Sequence, residues 1–393
     1  MKRVYMDHAA GTPVDPRVVE TIAPYFDRFY SNPSSLYSFA QEAKKGLDEA
    51  RENVAKLVNA ERKDEILFTS CATESNNWAI RGVAARNQDR GKHIVTTSIE
   101  HMSVINVCKY LMRQGFKATF LPVDRQGLLD LEALKRELTD ETVLVSVNYA
   151  NGEIGTIEPI QEVSEIVHSQ KAYLHVDATA AAGQVPVDVQ REGIDLLTLS
   201  SNDMCGPRGV GALYVKRGTR LEPLIYGGGQ EYGLRSGTEN LPGIVGMGRA
   251  AELAKTGMEA EGRRLIALRD KFISGLLGKI PHSFLNGHPT KRLPNNVAVR
   301  FSFIEGESML LNLDFAGVAA SSGSACAAKT LEPSHVLRAT GLKHEEAHGS
   351  LLFSLGKQNN EDDVDYVVGL LPDIVKRLRA MSPLTPKELR ENV

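Results

Sequence analysis

The sequence has no long hydrophobic run, no excess of charge of one sign and no low-complexity segment. No apolar stretch approaches the ~18 residues that a membrane-spanning helix needs, and the start lacks the apolar run of a signal peptide. Lysine and arginine total 46 against 49 acidic residues, so the net charge of −3 provides no basic field for nucleic acid or an anionic membrane. We therefore expect a cytoplasmic protein that binds neither.

Cysteine is also scarce. The chain has four cysteines in 393 residues, too few and too scattered for a disulfide framework: Cys71, Cys108, Cys205 and Cys326. Hydrophobic residues make up 42% and charged residues 24%, which is typical of a globular protein and excludes disorder, collagen and coiled coil for the whole chain. The length indicates two or three domains, or one large domain with an appendage.

Strand-like and helical segments alternate over the first half of the chain. Short apolar, β-branched runs predict buried strands at residues 65–69, 93–97, 143–147, 172–176 and 196–199. Such alternation predicts an α/β fold with a mainly parallel sheet covered by helices. A long helical stretch at 244–277 and a later strand-like run at 295–301 predict a second, small α+β domain. We place the large domain at residues 16–260 and the small domain at residues 1–15 and 261–393.

In such sheets the chemistry lies at the carboxyl ends of the strands. After the strand that ends near Phe68, the residues up to Asn77 are small or polar and lead into a helix, whose first N–H groups suit a phosphate. The alternative is an ordinary helix cap formed by Ser70 or Thr73. His101 follows the next strand and is either a catalytic group or a structural hydrogen-bonder.

Two further candidates come later in the chain. Asp177 ends an apolar strand, and such a buried carboxylate needs a partner; a pyridinium nitrogen is one, and a helix cap or an ion pair are the others. Cys326 lies among small, flexible residues, where a thiol could be exposed and mobile as catalysis requires. The alternative for Cys326 is a small buried hydrophobe.

Taken together and in order, these segments resemble the cysteine desulfurases of the IscS/NifS type. The segments that carry the resemblance lie at residues 5–10, 32–35, 68–77, 99–101, 175–179, 206–214, 227–231, 235–240, 321–326 and 331–339. The resemblance implies a fold-type I pyridoxal phosphate (PLP) protein, with a seven-stranded sheet, and a homodimer. It also implies L-cysteine as substrate, a Schiff base between PLP and a lysine, and a mobile-loop cysteine that passes a persulfide to a sulfur acceptor or iron–sulfur scaffold protein.

The resemblance assigns roles residue by residue. Cys326 matches the persulfide cysteine, and His101 matches the histidine that stacks on the cofactor ring and moves protons. Asp177 matches the partner of the pyridine nitrogen. Thr238 matches the threonine that reaches the cofactor phosphate of the neighbouring subunit. The other implied cofactor-binding residues are Ala72, Thr73, Ser200 and Asn202. No metal site is implied.

The sequence departs from the family pattern at the pocket itself. Asp203 stands where the family has its Schiff-base lysine, and the sequence has no lysine between Lys171 and Lys216. Leu352 stands where an arginine pairs with the substrate carboxylate. At four further positions of the family pattern, Cys71 replaces a glycine of the phosphate loop, Gly152 an asparagine, Ala180 a glutamine and Asn202 a histidine. An aspartate cannot form an imine, so any PLP is expected to be bound non-covalently.

These departures leave several interpretations open. Sulfur mobilisation through a Cys326 persulfide could persist with weak or lost lysine-dependent turnover. The chain could instead be a non-catalytic scaffold or partner whose Cys326 carries sulfur or binds a cluster on an acceptor. A different PLP or small-molecule reaction could occupy the altered pocket. A metal site formed by Cys71, Cys205 and Cys326 is a further alternative, against the interpretation of Cys71 and Cys205 as small buried fillers.

Overall fold

The structure is a computed structural model that describes residues 2–323 and 333–387. Its strands are β1 Val4–Tyr5, β2 Ile66–Thr69, β3 His93–Thr97, β4 Lys117–Leu121, β5 Thr142–Asn148, β6 Tyr173–Asp177, β7 Leu196–Ser200, β8 Gly211–Val215, β9 Ser283–Leu285, β10 Asn296–Phe301, β11 Val318–Ala319 and β12 Ser350–Ser354. Its α-helices are α1 Pro16–Ile22, α2 Pro24–Asp27, α3 Phe39–Leu57, α4 Ala72–Asn87, α5 Met102–Arg113, α6 Leu131–Glu137, α7 Ile160–Ser169, α8 Leu241–Lys279, α9 Gly306–Phe315, α10 His335–Ala339, α11 His344–His348 and α12 Glu361–Met381.

A seven-stranded sheet forms the centre, in the order β2-β8-β7-β6-β5-β3-β4. Strand β8 runs antiparallel to both of its neighbours, and the other adjacent strands pair in parallel. The carboxyl ends of β3, β5, β6 and β7 therefore meet at one edge. The predicted α/β class with a mainly parallel seven-stranded sheet is confirmed.

Helices cover both faces of this sheet. On β2, Ile66 and Phe68 join a buried cluster with α3 and the start of α8, whereas Leu67 joins a second cluster with α4 and α5. Successive strand residues point to opposite faces, so this division of one strand shows a sheet buried on both sides. This explains why its strands are apolar runs rather than alternating patterns.

A separate buried cluster lies in the second part of the chain. It joins Val4 and Met6 to the second half of α8, to β10 and β12 of the antiparallel sheet β12-β10-β9, and to α12. Along α8, buried residues stop at Ala251 and resume at Leu265. On this ground we propose the same two units as in the sequence analysis, residues 16–260 and residues 1–15 with 261–393.

Within the described ranges, none of the helices is both long enough and apolar enough to cross a membrane.

Candidate active site

The phosphate-type loop lies between β2 and α4. Cys71 is the N-cap residue of α4 in an extended conformation, and no side chain caps the helix there among the described residues. The predicted alternative, a cap formed by Ser70 or Thr73, is therefore wrong. Thr73 is exposed in the first turn and Ala72 is half-buried. The first N–H groups of a 16-residue helix thus have no capping side chain, which suits an anionic ligand.

The sequence analysis missed an ion pair that joins the loop containing Arg235 to the first turn of α4. Arg235 Nε donates to Glu74 Oε1 at 2.9 Å, and the backbone N–H of Ser70 donates to Glu74 Oε2 at 2.8 Å. Burial would raise the pKa of Glu74, but the hydrogen bonds from Arg235 and Ser70 hold it below its usual value. Thr238, three residues after Arg235, is exposed.

Asp177 lies buried at the end of β6. Asn76 Nδ2 donates to Asp177 Oδ2 at 2.7 Å, and the Thr179 N–H donates to Oδ1 at 3.0 Å. Asp177 makes no ion pair within the described part of the chain, and burial lowers the pKa of nearby His175 to about 4, so that histidine is neutral. Asn76 was missed because an asparagine in a helix carries no local signal; only the fold brings α4 against β6.

Asp203 occupies the position predicted for the missing lysine. It lies in a short 3₁₀ turn, Asn202–Met204, directly after β7. Protein atoms surround the carboxyl, and part of the residue stays accessible to solvent. Burial raises the pKa of Asp203 to about 6, against a hydrogen bond from Ser200, and the Asp177 carboxylate raises it further. Because β6 and β7 pair in parallel, Asp177 at the end of β6 and Asp203 just after β7 lie at the same edge of the sheet.

His101 and its neighbour Glu100 lie between β3 and α5. His101 is exposed and caps α5, its Nδ1 accepting from the Ser103 N–H at 3.2 Å. It also lines a cavity of about 490 Å³ together with Thr73. Glu100 is fully buried and accepts from the Asn148 N–H at 3.0 Å; burial raises its pKa to about 8. The structural hydrogen-bonding role of His101 is thus present, and its Nδ1 is committed to the helix.

Two of the replaced polar positions lie face to face. A Cβ placed on Gly152 would lie 3.5 Å from the Cβ of Ala180. The family pattern has amide side chains, an asparagine and a glutamine, at these two positions, so both replacements leave space at the same point of the site. Asn151 does not fill the gap, because its Oδ1 accepts from the Ile154 N–H at 3.0 Å and its Nδ2 donates to the Ile99 carbonyl at 2.8 Å.

Leu352 lies in the middle of β12 and is 4% exposed. Its neighbours Leu351 and Phe353 belong to the buried cluster of the second unit, so the alternation of the strand directs Leu352 to the opposite face. Its backbone pairs with Ser321, just before the segment that contains Cys326. An apolar side chain is thus buried where the family pattern has an arginine.

The thiols differ from expectation. Cys71 is exposed and Cys205 is half-buried, so their interpretation as small buried fillers is wrong, whereas Cys108 is buried. Cys71 is exposed because it precedes the first helical turn, and Cys205 lies in a left-handed turn with φ 59°. Cys326 lies outside the described residues. Among the described residues, no group of three or more histidines, cysteines or acids could hold a metal.

Glu153 touches both ends of the segment that contains Cys326. A Cβ placed on Gly323 would lie 2.8 Å from Glu153 Cγ, and Ser334, on the far side of the segment, hydrogen-bonds the Glu153 carboxyl. His335 Nε2 contacts the Glu100 carbonyl at 2.9 Å. Burial raises the pKa of Glu153 to about 8 despite the Ser334 bond. The anchoring role of Glu153 has no sequence signal, since it depends on contacts with residues more than a hundred positions away.

We expect the stability of the fold to fall as the pH rises from about 5 to 8, because Glu153 is protonated when folded. Between the unfolded and folded pKa values the folded chain holds one proton more, so each pH unit costs about 1.4 kcal/mol per such group. Glu153→Gln should make the drop in thermal midpoint smaller. The exposed Glu20→Gln should leave it unchanged, and an equal drop in the Glu153 variant would contradict the assignment.

Comparison with known proteins identifies the family to which this chain belongs. The sequence matches the Aminotransferase class-V family over residues 4–367. It is 57% identical over 380 residues to Cysteine desulfurase IscS 1 of Archaeoglobus fulgidus, a match that covers 97% of this chain and 99% of that protein. This chain belongs to the cysteine desulfurase family. The Cysteine desulfurase IscS of Methanosarcina thermophila is 52% identical over 389 residues, covering 99% of this chain and 96% of that protein.

Solved structures agree with this membership of the cysteine desulfurase family. A NifS-like protein matches with a TM-score of 0.90 and 38% identity, covering 96% of this chain and 100% of that one. A structure described as SspA in complex with cysteine matches with a TM-score of 0.78 and 34% identity, covering 90% and 98%. The predicted family and its fold-type I architecture are confirmed.

The cysteine desulfurase family depends on PLP, and the residues present fit part of that group. The uncapped start of α4 suits its phosphate, and Asp177 with Asn76 suits a protonated ring nitrogen. Asn76 Oδ1 is buried without a partner in the described structure. Asp203 offers no amine, so the site fits the ring and phosphate but not a covalent link to the protein.

Proposed function

We propose that this chain mobilises sulfur from L-cysteine through a persulfide on Cys326, for iron–sulfur cluster assembly or thiolation, with weak or lost lysine-dependent turnover. One observation carries the proposal: the family match extends over residues 4–367, while Asp203 and Leu352 stand at the positions where the family pattern has the lysine and the arginine. The family match supports a role in sulfur transfer, and the two replacements support a low rate of desulfuration of free L-cysteine.

Cys326 is the group that we propose to carry sulfur. In transfer from a donor persulfide, the Cys326 thiolate attacks the outer sulfur, the donor S–S bond breaks, and the donor thiolate leaves with the electron pair. No oxidant is consumed, and the reverse exchange with an acceptor thiol passes the sulfur on. Two contacts support this role: Gly323, before the Cys326 segment, lies against Glu153, and His335, after it, contacts the carbonyl of Glu100, the neighbour of His101.

We propose that PLP, when present, is bound non-covalently. Its protonated ring withdraws electrons from a bound substrate. The helix start at Ala72 and Thr73 would hold the phosphate, Asp177 would keep the ring nitrogen protonated, and His101 would cover the ring. Ser200 and Asn202 would line the same site beside Asp203, as supported by their hydrogen bonds to its carboxyl.

A second candidate function follows from the same replacements. With neither the amine nor the arginine, the chain could serve as a non-catalytic scaffold whose Cys326 carries sulfur or binds a cluster on an acceptor protein. The burial of Leu352 favours this over a new polar substrate, since a buried apolar side chain offers no hydrogen bond. An apolar ligand in the altered pocket is the remaining alternative.

We propose a homodimer as the working form. Large apolar side chains are exposed together along one stretch of the chain: Phe26, Tyr30, Leu36, Tyr37 and Phe39. Leu36 is 98% exposed. Such a concentration of exposed apolar side chains within 14 residues of the chain supports an interface between chains. The exposed Thr238 is then available to the partner's cofactor phosphate, as the family resemblance implies.

Mass spectrometry of the persulfide state tests the proposed function. The full chain is incubated with a protein or small-molecule persulfide donor, or with L-cysteine and PLP, and its cysteine peptides are then mapped. We expect a persulfide on Cys326 after the donor and far less after L-cysteine, because the cysteine route needs the missing amine. Absence of a Cys326 persulfide from both sources would refute sulfur transfer by this chain.

A further inference from the structure

The replacement of the lysine does more than remove an amine, because it inverts the charge at that point. Asp177 ends β6, and Asp203 lies in the turn directly after the neighbouring parallel strand β7, so both carboxylates lie at the same edge of the sheet. The Asp177 carboxylate disfavours ionisation of Asp203. Within residues 2–323 and 333–387, no lysine, arginine or histidine forms an ion pair with either one. The Ser200 and Asn202 side chains hydrogen-bond Asp203 and bring no charge.

Asp177 is buried and Asp203 is half-buried. Carboxylates held away from water without a counter-charge are costly, so this pair points to a ligand that supplies one. Asp177 would have its partner in the protonated ring nitrogen of the family cofactor. Asp203 stands at the position from which, by the family resemblance, a lysine would bond to a carbon of that cofactor. A cation carried on that carbon would complete the site.

We infer that this pocket is built for the amine form of the cofactor, pyridoxamine 5′-phosphate, whose ammonium group pairs with the Asp203 carboxylate. The inference rests on the proposed function, since it assumes that the pocket takes the family cofactor, and it names the form that is bound.

The two cofactor forms share every other contact. The phosphate at the start of α4 and the ring nitrogen at Asp177 are the same in the aldehyde and the amine. They differ only in the group that faces Asp203, which is an uncharged aldehyde in one and an ammonium in the other. A lysine at this position selects the aldehyde by bonding to it. An aspartate instead favours a positively charged group, because only that group forms a hydrogen bond between opposite charges with the carboxylate.

Binding of three cofactor analogues to the full-length chain tests the inference without any measurement of activity. The chain, freed of bound cofactor, is titrated calorimetrically with pyridoxamine 5′-phosphate, PLP and pyridoxine 5′-phosphate. The last has the same ring and phosphate with an uncharged alcohol. We expect the amine to bind at least roughly tenfold more tightly than either uncharged form, the effect of one hydrogen bond between charged groups.

Asp203→Asn is the matched variant, because it keeps the size and removes the charge. In it the preference for the amine should shrink to near parity, with the folded state checked by circular dichroism. Equal binding of all three analogues to the unmodified chain overturns the inference while leaving the cofactor proposal intact. Persistence of the amine preference in the asparagine variant also overturns it. Failure of all three to bind overturns the inference together with the proposed cofactor.

Discussion

Asp203→Lys combined with Leu352→Arg is expected to raise L-cysteine desulfuration above that of the unmodified chain by roughly a hundredfold or more. The lysine provides an amine that can bond to the cofactor aldehyde and exchange with the substrate amine, which avoids attack on the free aldehyde. The arginine provides a bidentate partner for the substrate carboxylate at the buried position on β12. Alanine and sulfide release with excess PLP would be measured.

The single variants separate the two contributions. Asp203→Lys alone should bind PLP covalently, so that borohydride reduction and peptide mapping find pyridoxyl-lysine at position 203, yet it should gain little activity. Leu352→Met, similar in size and uncharged, controls for the disturbance of a 4% exposed site. Unfolding midpoints of all variants must be compared first, because a buried arginine without its partner is destabilising. Robust turnover by the unmodified chain would contradict the assignment of Asp203.

Cys326→Ser is expected to abolish sulfur or cluster transfer to an acceptor protein while leaving the fold unchanged. The hydroxyl is nearly isosteric with the thiol but is a far poorer nucleophile and metal ligand at neutral pH. Transfer would be followed with labelled sulfur from a persulfide donor through the chain to an acceptor. Unimpaired transfer by the serine variant would remove Cys326 from the mechanism.

Cys108→Ala is the matched control for that experiment. Cys108 is fully buried on α5, and burial raises its pKa to about 12, so its thiol is inert and its loss should not affect transfer. Cys326 should be alkylated faster than Cys108 by a large factor. Exposed Cys71 is the competitor to examine, and faster alkylation of Cys71 than of Cys326 would argue against a freely accessible Cys326.

The sequence alone was sufficient for the class of fold and the family. Apolar runs such as residues 143–147 predicted strands because a sheet covered on both faces needs apolar residues throughout. The ordered motifs located Asp177 at the end of β6 and Asp203 just after β7, since both follow strands that are evident locally. The replaced lysine and arginine were likewise visible from sequence, because each is missing from a short and specific pattern.

Only the tertiary structure decided what these residues touch. Asn76 against Asp177, Arg235 against Glu74, and Glu153 against Gly323 join positions between 101 and 170 residues apart. No local pattern encodes such pairs, because they arise from the order in which the strands assemble. The error over Cys71 has a different, local reason, because the residue lies in the short loop between β2 and α4 and is exposed there. The sequence motifs identified which residue types lie at the site. The tertiary structure decided which of their charged groups have an oppositely charged partner among the described residues.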